Sequence, residues 1–197
     1  GDAASIKKTN IAKPYIFAIS YCYGLESINK YGNADALIGH SLGEYTALAI
    51  SGFFDYVDAL KIISVRGEAM QESVENSDTG MAAVLTTDLK ATLKEIEVLN
   101  SQDIEVWISN YNDASQIVIS SSNENLEYLK SNSKALSARR VIPLEVAGAF
   151  HTKIVSPAKP KLAEALEHVE LKEGTIPVYM NVDSNLANVD TLKSRLV

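Results

Sequence analysis

The feature that most constrains this chain is Ala36-Leu37-Ile38-Gly39-His40-Ser41-Leu42-Gly43-Glu44-Tyr45, an apolar run, then Gly-x-Ser-x-Gly, then helix-forming residues. Such a pattern describes a nucleophile elbow, a tight strand-to-helix turn that holds a serine hydroxyl clear of the backbone. Gly39 and Gly43 then flank Ser41 because a side chain at either position would collide with the neighbouring strand and helix. The helix expected over about 42–51 aims its positive end and unbonded N–H groups at the space beside Ser41. A carbonyl attacked by Ser41 becomes an anion in that space, and the Leu42 N–H is a candidate donor to it. The competing interpretation is an ordinary Gly/Ser turn before a helix; the strand and helix signals on its two sides favour the elbow.

The rest of the chain supplies what such a turn must be built into. Pro14 opens a helix from a first-turn position, where its missing N–H does no harm, and Gly32 closes it. Residues 1–10 are a polar lead-in. Asp55 is the N-cap of a second long helix running to about residue 75. Along it Ala59, Ile62, Ile63, Ala69 and Met70 form an apolar stripe, and Arg66 lies in the middle of that stripe. A buried arginine needs an anion. Either it snorkels or pairs with a local Glu68 or Glu44, or, beside a reactive serine, it holds a substrate carboxylate in a planar bidentate contact.

From Gly80 the texture changes. Strands are expected over 81–85, 105–110, 116–120 and 140–146, with helices over 88–99 and 125–136 between them. This β-α-β-β-α-β order is a ferredoxin-like unit. It divides the chain into a larger α/β body, residues 1–80 and 147–197, and a subdomain, residues 81–146. Beyond it come the small-residue loop Ala147-Gly-Ala-Phe-His-Thr152, a helix over about 157–169, a strand over 176–180, Asn181-Val-Asp183 and a short last helix.

Composition excludes several classes. A net charge of −7 over 197 residues gives no encouragement to a nucleic-acid or anionic-membrane partner. Cys22 is the only cysteine, so no internal disulfide forms, and a reducing, cytoplasmic setting fits. No Cys/His cluster has zinc spacing, so no metal site is expected. No apolar run approaches membrane-spanning length, and residues 2–8 are not a signal peptide.

Ser41 needs a base. His40 adjoins it, and adjacent side chains diverge on a sharp turn, so His40 lines the site at most. His168 lies off the apolar stripe near a helix end, where an exposed imidazole is commonplace. His151 sits in a Gly/Ala loop after a strand, where catalytic groups are commonly mounted. A lone loop histidine is as a rule structural; with Ser41 present, His151 is the best candidate base.

The segments Gly39-His-Ser-Leu-Gly-Glu-Tyr45, Val65-Arg-Gly-Glu-Ala-Met-Gln71, Ser109-Asn-Tyr-Asn112 with Gln116-Ile-Val-Ile119, Gly148-Ala-Phe-His151 and Met180-Asn-Val-Asp183 resemble, in this order, malonyl-CoA:acyl-carrier-protein transacylases and the acyltransferase domains of polyketide and fatty-acid synthases. The resemblance implies an α/β-hydrolase-like body with a ferredoxin-like insert. It implies that Ser41 takes a malonyl group from malonyl-CoA and passes it to the phosphopantetheine thiol of an acyl carrier protein, with no bound cofactor. By the same match His151 is the base, Leu42 N–H serves the oxyanion and Arg66 grips the malonyl carboxylate. His40 and Asn110 line the site, and Phe150 is the malonyl-selecting residue. Neighbouring synthase domains are further possible partners.

Two departures carry expectations of their own. The family's opening strand with its Gly-Gln-Gly loop, and a later glutamine that positions the histidine, have no counterpart here. Loss of an oxyanion donor lowers turnover by about 10²–10³, so residues 1–197 alone are expected to acylate slowly or not at all, and a sheet edge is expected to be bare. Two other readings stand beside transfer. One is a serine hydrolase or acyl-editing thioesterase with Glu145 behind His151; the other is a non-catalytic synthase scaffold. Arg66 argues against the hydrolase, which has no use for a buried cation. Lys153, Lys159 and Lys161 are the nearest positive charges on which an acidic carrier could dock.

Overall fold

The computed structural model describes residues 9–197, so most of the expected polar lead-in lies outside the described residues. The protein is an α/β fold whose chain forms two compact units: one holds the chain up to Ala69 with Ala158–Val197, the other Met70–Pro157.

The first unit begins with α1, Thr9–Tyr31. Pro14 lies inside this helix rather than at its start. Its ring denies a backbone bond to the carbonyl four residues earlier, a loss a long helix tolerates when its inner face is well packed. Phe17 does that packing: it is fully buried, with its ring centroid 5.3 Å from that of Tyr56. Gly32 ends the helix at φ 85°, donating its N–H to Ile28 O. Next come β1, Leu37–Ile38, then α2, Leu42–Ser51, and α3, Tyr56–Val74. Asp55 caps α3 as expected, its carboxylate accepting from Asp58 N at 2.8 Å.

The strand expected over 176–180 is cut to two residues; it and β1 are the unit's only strands among the described residues, and they pair in parallel, Leu37 with Val178 and Ile38 with Tyr179. The core gathers one face of each helix: Phe17 from α1, Leu48 from α2, Ile62 and Ile63 from α3, and Leu166 and Leu192 from the two C-terminal helices.

In the second unit β2, Thr79–Leu85, is followed by α4, Leu89–Ser101, capped by Asp88, which accepts from Ala91 N at 3.0 Å. Then come β3, Trp107–Asp113, β4, Gln116–Ser122, α5, Asn123–Ser131, a 3₁₀ turn over Ser133–Leu136, and β5, Arg140–Pro143. The strands form one antiparallel sheet in the order β3-β4-β2-β5. Two expectations shift. The helix expected over 125–136 breaks at Asn132, where φ is −126°, and continues as the tighter turn. The last strand stops at Pro143, with one further bond to β2 from Leu144 N–H to Met81 O at 2.8 Å. Ile117 and Ile119 on β4 and Leu129 on α5 are fully buried at the centre of this unit.

The chain closes in the first unit with α6, Ala158–Glu167, β6, Val178–Tyr179, and α7, Val189–Leu196, whose N-cap Asn188 accepts from Thr191 N.

Candidate functional site

Sterics at Gly39 create the turn at Ser41. A Cβ at Gly39 would lie 2.0 Å from the carbonyl carbon and oxygen of Gly43 and 2.3 Å from Glu44 N, a backbone clash that nothing flexible can relieve. Gly43 corrects the expectation, since a Cβ there would meet nothing within 4 Å. One glycine therefore takes the whole collision, and the other supplies the backbone that presses on it.

Ser41 has φ 50° and ψ −104°, a conformation that disfavours any L side chain. Strain of this kind amounts to about 1–3 kcal/mol and gathers at functional positions. Around it, Gly43 N–H donates to His40 O at 2.9 Å and Glu44 N–H to Ser41 O at 3.2 Å. Ser41 N–H donates to Asn181 Oδ1 at 3.1 Å. Leu42 is the first residue of α2, where an N–H has no partner within its own helix. The amides of Ser41, Gly43 and Glu44 are thus engaged, and that of Leu42 adjoins the Ser41 side chain. His40 is exposed.

Arg66 lies on α3 among Ile62, Ile63, Ala69 and Met70, all buried, and is itself only 9% exposed. Its guanidinium carbon stands 5.5 Å over the Tyr45 ring, and Nη1 is buried without a hydrogen-bond partner. Neither local carboxylate answers it. Glu44 Oε1 accepts instead from Asn181 N at 2.6 Å, Glu68 is exposed, and no ion pair joins Arg66 to either among the described residues. Burial pushes the Tyr45 phenol up to about 12, so it is neutral at physiological pH.

A second basic group, unforeseen from the sequence, feels the Arg66 charge. Burial first, and Arg66 second, bring Lys13 down to about 7.

The second unit carries the remaining candidates. His151 has φ 59° and is exposed, and it follows the buried Ala149 and Phe150. Its loop is tied down on both sides: Ala149 N–H donates to Thr79 Oγ1 at 3.2 Å, and Thr152 Oγ1 donates to Ala149 O at 2.7 Å. His151 lines an open cavity of about 470 Å³ with Trp107, Tyr111 and Asn100. Asn110 lies on β3 opposite Val118, just past a register irregularity at Ser109. Glu145 is exposed beyond β5. Lys153 is salt-bridged to Glu105 at 2.6 Å and stands 5.2 Å over the Trp107 ring. Among the described residues no group of three or more His, Cys, Asp or Glu could hold a metal, and no helix is long and apolar enough to cross a membrane.

Ser41, Leu42, His40 and Arg66 thus belong to the first unit, and Asn110, Phe150 and His151 to the second. Sequence reasoning missed Lys13 and the part played by Asn181. The signal for Asn181 was its position just past a short apolar strand parallel to the elbow strand, since functional groups collect at the carboxyl ends of parallel strands.

A serine held at positive φ on a strand-to-helix turn is the geometry from which nucleophilic chemistry on a carbonyl is commonly built. Comparison with known proteins gives that geometry a family. Residues 2–195 match the family model described as the acyl transferase domain, and the chain belongs to that family. It is 35% identical over 187 residues to the malonyl CoA-acyl carrier protein transacylase of Bacillus subtilis, a match covering 94% of this chain and 59% of that protein. With the Escherichia coli protein of the same name the identity is 33% over 199 residues, covering 100% of this chain and 64% of the relative. Among solved structures, a type II PKS acyl-carrier protein in complex with its malonyl-transacylase matches with a TM-score of 0.89 at 30% identity, covering 100% of this chain and 64% of that one. The malonyl-CoA:ACP transacylase of Synechocystis matches with a TM-score of 0.85 at 32% identity, over 100% and 64% of the two chains. The chain therefore spans about 59–64% of the length of these relatives.

Proposed function

We propose that this chain carries the machinery for moving a malonyl group from malonyl-CoA to the phosphopantetheine thiol of an acyl carrier protein, in fatty-acid or polyketide synthesis. In this reading His151 takes the Ser41 proton, the hydroxyl oxygen attacks the thioester carbonyl, and the oxyanion is met by Leu42 N–H. The C–S bond then breaks and CoA leaves as its thiol with the proton from His151. The carrier thiol repeats the steps in reverse on the malonyl-serine ester, and Ser41 regains its proton. Arg66 holds the malonyl carboxylate and so fixes the thioester against Ser41. His40 and Asn110 line the site, and Phe150 favours malonyl over branched units. The names of the relatives, and the carrier protein bound to one of them, support the substrate and the partner. Neighbouring synthase domains and a cytoplasmic setting belong to the same reading, and the chemistry as written calls on no bound cofactor.

The fold in this reading is an α/β-hydrolase-like body, residues 1–80 and 147–197, with a ferredoxin-like subdomain, residues 81–146. The strand order β3-β4-β2-β5, with one helix after β2 and another after β4, supports the subdomain, and the parallel β1–β6 pair supports the body.

The observation that carries the reading is the buried Arg66 guanidinium with a vacant donor, in the unit that also holds Ser41. A serine hydrolase acting on a neutral ester has no use for it. Intact-mass measurement of acyl-Ser41 after incubation with malonyl-CoA or acetyl-CoA tests the assignment. Replacing Arg66 with Ala is expected to slow malonyl loading about a hundredfold while sparing acetyl loading. An unchanged malonyl preference would remove Arg66 from the site.

A further inference from the structure

Asn181 is bonded to the elbow at three points. Its Oδ1 accepts from Ser41 N–H at 3.1 Å, its Nδ2 donates to Gly39 O at 2.7 Å, and its own N–H donates to Glu44 Oε1 at 2.6 Å. The carboxamide thus spans the turn on both sides of His40, and because one end accepts and the other donates, its orientation is defined. Only a group with both functions at this spacing can do so; a carboxylate supplies the acceptor and lacks the donor.

The residue is delivered by a loop that is itself held. Met180 N–H donates to Asn185 O at 2.9 Å, Ser184 N–H to Met180 O at 3.0 Å, and Asn185 N–H to Asp183 Oδ1 at 3.0 Å. Arg195 donates to the Asp183 carboxylate, to Leu186 O at 2.8 Å and to Asn185 O at 3.1 Å. Two consequences follow for the serine. Its strained φ is held from outside rather than by α2 alone. Its own N–H, engaged by Asn181, is withdrawn from anion binding, which leaves that task to the next amide in the chain.

We propose that Asn181 is a positioning residue for the nucleophile: its carboxamide holds the elbow so that the Ser41 hydroxyl and the Leu42 N–H address the same carbonyl. The proposal rests on Ser41 being the nucleophile, and its test separates the two claims. The probe is an alkyl fluorophosphonate, which forms an O–P bond with a reactive serine and loses fluoride, the hydroxyl proton going to the base. Labelling of Ser41 is followed by intact mass between pH 5 and pH 8.5 in the unmodified chain and in Asn181→Ala and Asn181→Asp.

Asn181→Ala is expected to label about tenfold more slowly, as loss of two neutral hydrogen bonds at a reacting group predicts. Asn181→Asp is expected to be about a hundredfold slower at pH 8.5, where the carboxylate cannot donate to Gly39 O and opposes the developing anion. Its deficit relative to the unmodified chain narrows toward pH 5, as protonation restores a donor. A purely structural role would lower thermal stability without this pH-dependent ratio. Hydrogen exchange at the Ser41 amide needs no variant, and protection at least tenfold over an unstructured peptide is expected.

Labelling of both variants at the unmodified rate, a Asn181→Asp ratio flat with pH, or exchange at the peptide rate each overturns the positioning role. Absence of label on Ser41 in the unmodified chain overturns the nucleophile reading and this proposal with it.

Discussion

The two units solve the same problem of backbone and apolar burial to different degrees. In the second, four antiparallel strands of four to seven residues pair through long ladders, and both central strands carry fully buried residues. In the first, two strands of two residues each make the sheet among the described residues, and apolar groups remain in water. Ile38 is 81% exposed, Val182 66%, and Tyr15, Ile16, Ile19 and Tyr23 form an exposed apolar strip along α1. A strip of this kind and an unpaired strand edge are what a further segment or a partner covers. The buried Arg66 and the strained Ser41 belong to this less self-sufficient unit, while the second unit carries strained backbone of its own at Asp103, Ser137 and His151. Strain is thus borne in both units, and what separates them is how much of the sheet and apolar surface each completes for itself.

The largest effect is expected of Gly39→Ala. Its Cβ clashes with backbone, so the elbow must rearrange; acylation of Ser41 is expected to drop at least a thousandfold, with native-like hydrogen exchange kept in β2 and β4. Loss of protection across both units would show that they do not differ in self-sufficiency. Next in size is Ile117→Ala at the centre of the second unit, which should destabilise that unit by about 2–5 kcal/mol in denaturant titration. A smaller effect there would mean its core is looser than its ladders imply.

Lys13→Gln sharpens the electrostatic side. Below pH 7 Lys13 is charged in both folded and unfolded chains, and its unfavourable burial beside Arg66 is fully expressed. As pH rises from about 7 toward the ordinary lysine value of 10.5, the folded chain has released the proton and the unfolded chain still holds it, so stability increases. The variant should therefore melt higher than the unmodified chain at pH 6, and the gap should close above pH 10. A gap constant with pH would place Lys13 away from the Arg66 field. Smallest is Asp88→Ala, which removes a cap from α4 at about 1 kcal/mol and should leave acylation untouched.

Legibility in the sequence tracked the range of the interactions. The elbow was visible because its cause is local: an apolar run, two glycines and a helix within ten residues. The burial of Arg66 was visible in the helical period around it. Asp55 and Asp88 announced their helices for the same reason. What stayed hidden depends on distant chain. Asn181 was quoted as part of a motif, yet its bonds to Gly39 and Ser41 span some 140 residues, and nothing nearby signals them. Lys13 was obscured by Pro14, which read as a helix start when the helix in fact begins earlier and carries Lys13 toward Arg66. Gly43 misled because a symmetrical motif suggested a symmetrical cause.

The distance between Ser41 and Asn181 along the chain also has a meaning in time. Among the described residues, β1 gains its parallel neighbour, and the turn after it its clamp, only with residues 178–181. Closing so long a loop is a late event, and a slow one. A chain still emerging from the ribosome therefore exposes the serine without its clamp until Asn181 has been made.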